Sequence, residues 1–214
     1  MPNWCSTNYT ITFKSEEEAK RFYEQMDSWQ RNVFPPEPYM IGEGWLGNIL
    51  HNSGVCSVMD ENGNRIDPEV RCRGWVEYLD HSGREVTVQT ETAWGPMHEG
   101  LALILDKYAP DAEVTYTSEE CGCSYYGTND PAYDGLYVVN MWELPEWFKQ
   151  SGDYSYEYEY ADDFSEDDLR VFAKLLKASI TGDMTVEEVI EAILDTEGVE
   201  GCIEPWDFEE EFIK

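Results

Sequence analysis

Two thiols stand close enough in the sequence to suggest chemistry. Cys121 and Cys123 are separated by a single glycine. Zinc sites usually place two or more residues between paired cysteines, so that both thiolates can turn toward one ion. The shorter spacing argues against a metal centre, although His98 or Cys72 could complete one in space. We therefore expect no metal and no cofactor, and thiols that stay free in a reducing compartment.

A histidine and an arginine pair are the other candidates for chemistry. His98-Glu99 lies at an expected helix start, where an imidazole with a carboxylate neighbour could act as an acid or base. No nucleophile motif accompanies it, so we expect no catalytic residue. Arg71-Cys72-Arg73 could bind a phosphate or a small nucleotide. Pairing of these arginines with surrounding acids is the simpler interpretation.

Carboxylates outnumber every other charged group. Asp and Glu total 45 against 14 Lys and Arg, and the formal net charge is -31. Such a surface repels DNA, RNA and anionic membranes, and it attracts basic proteins, including those whose own ligand is nucleic acid. Solubility alone is the alternative explanation. We expect a protein partner with a basic channel, no direct nucleic-acid binding and no membrane association.

Two segments combine acids with aromatic residues: EYEYADDFSEDD at 157–168 and WDFEEEFIK at 206–214. Residues 151–214 carry a net charge of -16 (4 − 20), against -15 (10 − 25) for residues 1–150. Aromatic residues are enriched at interface hot spots, whereas acids at helix N-termini also stabilise helices. The interface interpretation nominates ten partner-binding residues: Glu157, Glu159, Asp162, Asp163, Asp167, Asp168, Asp207, Glu209, Glu210 and Glu211.

The elements that must position these residues begin with a strand. In the opening MPNWCSTNYTITF, Tyr9, Ile11 and Phe13 alternate with polar residues. We expect Trp4 and Cys5 to be buried, because the chain enters its core at once. The opening lacks the basic and apolar pattern of a secretory signal, and no apolar run approaches about 20 residues. The expected location is the cytoplasm.

Hydrophobic periodicity predicts the order of elements up to about residue 150. A capping box at Ser15–Glu18 starts a helix, and residues 33–84 are predicted as an inserted loop region with short strands near 72–79. Two βαβ-like units in one small sheet predict an α+β, ferredoxin-like sandwich. It would place 8–13, 86–92 and 112–118 in one sheet, with the helices from Ser15 and from about Met97 on one face.

The composition changes near residue 151. Tyrosines alternate with acids over 154–160, as in a strand, and Ser165–Asp168 and Thr185–Glu188 carry the signature of a helix start. We therefore divide the sequence into a ferredoxin-like domain at 1–150, with its insert at about 33–84, and an acidic extension at 151–214. The extension is predicted to contain one strand and two helices.

Two stretches resemble the YubB-like family of phage and plasmid proteins of unknown function. They are MPNWC and TETAWGPMHEGLALILDKYAPDAEVTYTSEECGCSYYGTND, and the similarity covers about 1–13 and 86–140. The family pattern has a Thr-x-Trp, prolines, a helix, a Tyr-Pro turn, a strand and a Gly-rich turn. Here Gly95-Pro96 replaces Ser-Pro-Pro, and Ala109 separates Tyr108 from Pro110. The resemblance implies a ferredoxin-like fold and a mobile-element origin, and it brings no known catalytic residues.

Charge and resemblance together favour one function class. We expect a phage or mobile-element accessory protein that blocks a host nucleic-acid-binding defence enzyme, of the anti-CRISPR or anti-restriction type. Its carboxylates would stand in for phosphates, as a DNA mimic. The alternatives are a small-molecule enzyme and a ligand- or protein-binding accessory module unrelated to defence. A cleft with perturbed titratable groups would favour the enzyme.

Overall fold

The computed structural model describes residues 3–33, 42–58, 70–153 and 162–209. Backbone contacts divide them into two compact units, the N-terminal unit (3–130 with Glu209) and the C-terminal unit (Pro131–Phe208). Both units combine helices with antiparallel strands, so the chain is α+β. The change in composition near residue 151 falls inside the C-terminal unit.

The N-terminal unit is organised around one antiparallel sheet. Its elements in chain order are β1 (Trp4–Thr12), α1 (Glu16–Arg31), α2 (Leu46–Asn52), β2 (Gly74–Ser82), β3 (Glu85–Ala93), α3 (His98–Tyr108), β4 (Glu113–Glu120) and β5 (Tyr125–Thr128). The strands follow the order β2-β3-β1-β4-β5, and each of these neighbours pairs antiparallel. The prediction that 8–13, 86–92 and 112–118 share a sheet is confirmed.

Alternation along β1 gives the sheet an apolar inner face and a polar outer face. Tyr9 and Ile11 are buried, and they pair with Val88 and Val86 of β3. Residues directly opposite each other share a face, so all four point into one core. Helices α1 and α3 pack in that same core, as predicted, through Phe22, Met26, Leu101, Ile104 and Leu105.

The first two residues of β1 have opposite environments. Cys5 is fully buried, as predicted, but the expectation that Trp4 is buried is wrong, since Trp4 is 42% exposed. Successive residues of a strand point to opposite faces, so only one of the two can enter the core. The Trp4 ring instead lies on the outer face, with its centroid 5.6 Å from that of Trp75.

The region predicted as an inserted loop contains regular structure where it is described. Helix α2 packs through Ile49 and Leu50 into the core, and β2 is a nine-residue strand at the sheet edge. The end of α2 is held by α3, because Lys107 Nζ and Tyr108 Oη both donate to the Ser53 carbonyl. Within this region the sequence PPEP at 35–38 predicts the end of a helix and DENG at 60–63 predicts a turn, and both stretches lie outside the described residues.

The C-terminal unit has a sheet and a core of its own. Its elements are β6 (Tyr137–Glu143), α4 (Glu146–Lys149), β7 (Asp162–Phe164), α5 (Glu166–Leu175), α6 (Val186–Leu194), β8 (Glu200–Pro205) and β9 (Asp207–Phe208). Strands β7, β6 and β8 pair antiparallel in that order. Met141, Phe148, Phe172 and Ile193 are fully buried in its core. The unit is therefore more than the helical extension predicted from sequence.

Both helices predicted in the C-terminal unit are confirmed, each with a complete capping box. Ser165 accepts a hydrogen bond from the Asp168 N–H, and the Asp168 carboxylate accepts one from the Ser165 N–H at 3.0 Å. Thr185 and Glu188 repeat the exchange at α6. The strand predicted at 154–160 lies outside the described residues. None of the described helices is long and apolar enough to cross a membrane.

Candidate functional site

Five of the ten nominated acidic residues have no described side chain. Glu157, Glu159, Glu210 and Glu211 lie outside the described residues. Asp162 begins β7, and only its backbone is described. Their nomination as partner-binding residues stays a prediction.

Three other nominated carboxylates form hydrogen bonds within their own unit. Asp163 accepts from Trp206 Nε1–H at 2.7 Å, and Glu209 accepts from the Tyr116 hydroxyl at 2.7 Å. Asp168 closes the capping box of α5. The Ser165 hydroxyl donates a hydrogen bond to the Asp168 carboxylate, and this bond lowers the pKa of the Asp168 carboxyl below its ordinary value. These three carboxylates stabilise local structure.

The remaining two nominated residues are exposed. Asp167 lies in the first turn of α5, and Asp207 lies in β9. The carboxylate of neither residue makes a hydrogen bond or ion pair with another part of the described chain. Asp167 also suits its position at a helix N-terminus, where the helix dipole favours a negative charge. These two carboxylates are available to a partner.

The structure reveals a second acidic surface that the sequence did not nominate. We define the open face as the outer side of strands β1 to β4. Glu91 pairs with Ser6 from one side and Glu119 pairs with it from the other. Glu85 and Glu113 flank Thr12 in the same way. The register of β1 with β3 and β4 therefore places these four glutamates as two pairs on the open face.

Strand geometry sets the spacing of these two pairs. Members of a pair are two strands apart, which is about 10 Å, and the pairs are six residues apart along β1, which is about 20 Å. The sheet holds the backbone at these positions in a fixed register. Glu85 and Glu113 are exposed and Glu91 is half-buried, and the carboxylates of these three residues form no hydrogen bond or ion pair with a described residue. Their charge is open to solvent or to a partner.

The rest of the open face is polar and aromatic. Its outward positions on β1 to β4 include Asn8, Thr10, Thr87 and Thr117, and none is a Lys or Arg. Trp4 and Tyr78, 42% and 49% exposed, project from the same side. Exposed aromatic residues among polar ones are typical of interface hot spots. Alternation in the sequence could have identified the outward glutamates, but not which strands are neighbours.

A third acidic feature is a groove beside α6 in the C-terminal unit. It encloses about 550 Å³, and its lining includes Glu188, Glu191, Asp195 and Glu197 with one cation, Lys177. The described residues of this unit carry 18 acids and 4 bases, a net charge of -14 (4 − 18). The field around the unit is therefore strongly negative.

His98 occupies a partly buried position in the core rather than an open catalytic one. Its Nδ1 lies 3.0 Å from the Tyr9 hydroxyl oxygen, and its ring centroid lies 4.3 Å from that of Tyr116. Burial lowers the pKa of His98 to about 4, so the imidazole is neutral at pH 7. Burial also raises the pKa of both tyrosines above its ordinary value. The cluster packs the core between α3 and the sheet.

The other candidates for chemistry lie at the surface. Cys121 and Cys123 are exposed in a short 3-10 turn, where Asn3 Nδ2 donates to Cys123 Sγ at 3.2 Å. In the part of the chain that the structure describes, no group of three or more His, Cys, Asp or Glu could hold a metal ion. Arg71 and Arg73 are exposed, and neither forms an ion pair with a described residue. The expected pairing of these arginines with local acids is not seen among the described residues.

Comparisons with known proteins add no relative. The chain matches no family model, no curated protein and no solved structure. The charge, the open face and the pockets of the chain itself are therefore the features that indicate its function.

Proposed function

We propose that this chain is a phage or mobile-element accessory protein that binds a host nucleic-acid-binding defence enzyme and blocks it. Its carboxylates occupy the basic channel that the enzyme uses for DNA or RNA. The observation that carries the proposal is the open face, where four glutamates stand in fixed register and no outward position is basic. Duplex DNA likewise presents negative charge at fixed positions to its protein partners.

The topology of the N-terminal unit supports the ferredoxin-like part of this proposal. The order β2-β3-β1-β4, with α1 and α3 packed on one face, follows a split βαβ arrangement. That arrangement leaves the other face of the sheet uncovered by its own helices. The YubB-like resemblance and the mobile-element origin belong to the same proposal, and they are supported by the motifs at 1–13 and 86–140.

Rigid presentation of charge favours the open face as a binding surface. A side chain fixed on a sheet loses less conformational freedom on binding than one on a chain that must first be ordered. Charge complementarity mainly accelerates encounter, which makes association dependent on salt. Trp4 and Tyr78 provide apolar area that charge alone does not supply.

Affinity capture from a bacterial host that expresses several defence systems tests the proposal. The captured enzyme is then tested for competition between this protein and duplex DNA, and association is followed as salt rises. Three triple variants of equal charge change locate the contact. They are Glu85→Gln with Glu91→Gln and Glu113→Gln, Glu157→Gln with Glu159→Gln and Asp167→Asn, and the control Glu17→Gln with Glu24→Gln and Asp106→Asn.

The expected result is slower association at high salt and a loss of affinity in the open-face variant. Each exposed charge contact contributes about 0.2–1 kcal/mol, so three changes should weaken binding by about threefold or more. The control removes the same charge from the exposed sides of α1 and α3 and should keep nearly all of the affinity. A partner that binds DNA and this protein simultaneously would refute the mimicry.

If only the variant at 157, 159 and 167 loses affinity for the partner, the contact lies on the nominated acidic segment and not on the open face. Equal losses in all three variants would indicate non-specific attraction to net charge. The alternative function, a ligand-binding module, is favoured by a separate observation in the N-terminal unit, which is a small, mostly apolar pocket whose lining includes Tyr9, Arg71 and Thr90.

A further inference from the structure

Two exposed thiols form a cluster of reactive side chains outside the open face. Of the six cysteines, only Cys121 and Cys123 are exposed, and the other four are half-buried or buried. Burial raises the pKa of the Cys5 thiol to about 11, which keeps that sulfur protonated and inert. Thiols that solvent reaches are the ones that can exchange with a dissolved disulfide. Cys121 and Cys123 are therefore suited to that chemistry.

The pair is held in the loop of a β-hairpin. Glu120 at the end of β4 pairs with Tyr125 at the start of β5, and the four residues between them form the loop. The Ser124 N–H donates to the Cys121 carbonyl at 3.4 Å, and Ser124 turns the chain with a positive φ of 51°. Residues two apart in a 3-10 turn have Cα atoms about 5–6 Å apart, and a disulfide spans roughly 4.4–6.8 Å. One S–S bond can therefore join the two cysteines with little movement of the backbone.

The side chain of Asn3 lies against this loop and distinguishes the two sulfurs. Asn3 Nδ2 donates to Cys123 Sγ at 3.2 Å. A Cβ on Gly122 would lie 3.1 Å from the same nitrogen, so the glycine leaves room for the amide. The Asn3 carbonyl accepts from the Trp94 N–H at 3.0 Å, which anchors the residue. Because an N–H donor stabilises negative charge on a sulfur, Cys123 is the better attacking thiol and Cys121 the resolving one.

We propose that Cys121 and Cys123 form a thiol–disulfide exchange site whose substrate is a small, uncharged or cationic disulfide. The Cys123 thiolate attacks one sulfur of the substrate, the substrate S–S bond breaks, and the first thiolate leaves and takes up a proton. The Cys121 thiolate then attacks Cys123 Sγ, expels the second thiolate and closes a Cys121–Cys123 disulfide. The protein thus loses two electrons and two protons, and the substrate becomes two thiols.

The size and exposure of the loop favour an exchangeable bond over a structural one. The bond would close a loop with a single residue between the cysteines, and strained or exposed disulfides have the higher reduction potentials. All six thiols are free in the structure, so the fold accommodates the reduced form. The pair therefore stays a dithiol in a reducing compartment and is oxidised when disulfide accumulates.

Charge near the loop selects the class of substrate. Glu119 and Glu120 immediately precede Cys121, and the chain carries a net charge of -31. Charges within about 8 Å of each other are little screened at physiological salt, so an anionic disulfide is repelled and a cationic one is attracted. The site uses neither the glutamates of the open face nor a protein partner, so it stands or fails independently of the proposed function.

Acid-quenched exchange, followed by intact mass and peptide mapping, tests the site. The reduced protein is mixed with cystamine, 2-hydroxyethyl disulfide or oxidised glutathione, which are cationic, neutral and anionic, and each rate is divided by the rate for N-acetylcysteinamide. Two hydrogens should be lost at Cys121 and Cys123, and cystamine should react about tenfold faster than oxidised glutathione at low salt. This difference should shrink at 1 M salt. Absence of a Cys121–Cys123 disulfide with every probe would overturn the proposal, and equal normalised rates would refute the selection by charge.

Single variants assign the roles of the two sulfurs. Cys121→Ser should stop at a stable mixed disulfide on Cys123, whereas Cys123→Ser should form a mixed disulfide on Cys121 more slowly. Asn3→Ala should slow the first step about fivefold, an ordinary loss for one hydrogen bond. Cys56→Ser is the control and should form the Cys121–Cys123 disulfide at the wild-type rate. Equal first-step rates in Cys121→Ser and Cys123→Ser, or a mixed disulfide that forms first on Cys56, would contradict the assignment.

Discussion

Carboxylates on the open face and carboxylates at the starts of α5 and α6 differ in what holds them. Asp168 and Glu188 accept hydrogen bonds from backbone N–H groups at their helix starts. Glu85 and Glu113 stand on the sheet, and their carboxylates make no hydrogen bond or ion pair with a described residue. The first pair stabilises the fold that carries it. The second pair adds repulsion to a chain of net charge -31, which a binding role would explain.

The open face belongs to the N-terminal unit, and the starts of α5 and α6 belong to the C-terminal unit. The largest effect that distinguishes them should come from destabilising the C-terminal unit alone. Phe172 is fully buried in the C-terminal core, and its centroid lies 5.9 Å from that of Phe164. Phe172→Ala should cost about 3–5 kcal/mol of unfolding free energy, from lost burial and a residual cavity. Urea unfolding followed by tryptophan fluorescence measures it. Val171→Ala, at a 52% exposed neighbour, should stay within about 0.5 kcal/mol.

Partner binding by Phe172→Ala would then show which region makes the contact. If the open face is the contact, binding should persist where the C-terminal unit is partly unfolded. Loss of binding in proportion to the unfolded fraction of that unit would instead favour the acids of α5, α6 and the nominated segment.

Acid titration is expected to weaken the N-terminal unit through His98. Burial lowers its pKa to about 4, below the ordinary 6.5, so the unfolded state binds more protons between these values. Stability is therefore lost as pH falls from about 6.5 toward 4. Between pH 7.5 and 5.0 the loss through this group is about 2 kcal/mol, at about 1.4 kcal/mol per pH unit.

Comparison of unfolding free energies at the two pH values isolates the His98 contribution. His98→Gln should remove about 2 kcal/mol of the difference between pH 7.5 and 5.0, whereas His81→Gln should keep it because His98 is intact. An unchanged difference in His98→Gln would show that the imidazole is accessible to protons in the folded state. It would also reopen the acid-base role considered from sequence.

The helix starts were predictable because capping is local. Ser165 and Thr185 stand three residues before the acids that complete each box, and the structure has both boxes. Helix α2 lacked such a signal, since Trp45 precedes it with no side-chain cap. Gly47 lies within the predicted loop region at 33–84 and is in fact part of α2, where a Cβ would lie 2.2 Å from Trp45 Cη2. That glycine is required by the packing of the tryptophan against its own helix.

The candidate surfaces were less predictable because they depend on contacts between distant residues. Glu85 and Glu113 are 28 positions apart, and only the pairing of β3 and β4 with β1 places them around Thr12. Thr90 and Arg71 belong to one pocket through the pairing of β2 with β3 and the position of α2. Periodicity predicted the strands and their inward side chains, but the order of strands is not encoded locally.

Removal of a capping hydroxyl should have a moderate effect on the C-terminal unit. Ser165→Ala should cost about 1 kcal/mol, because one N–H at the start of α5 loses its acceptor. The lowered pKa of Asp168, held chiefly by Ser165, should return toward its ordinary value, and NMR titration of its carboxyl measures this. Ser179→Ala, an exposed serine in the same unit, is the control. If Ser165→Ala lowers the unfolding free energy by less than about 0.3 kcal/mol, water replaces the serine hydroxyl as the acceptor at the start of α5.

Neutralising the open face should have the smallest effect and the opposite sign. Glu85→Gln with Glu91→Gln and Glu113→Gln removes three charges that bond to no described residue from a strongly negative chain, so repulsion falls. We expect unfolding free energy to rise by about 0.5 kcal/mol at low salt, within the usual range for surface changes. At 1 M salt, where screening acts within about 3 Å, the gain should vanish. A loss of stability in the triple variant would mean that these glutamates support the sheet, and the contrast with the caps of α5 and α6 would disappear.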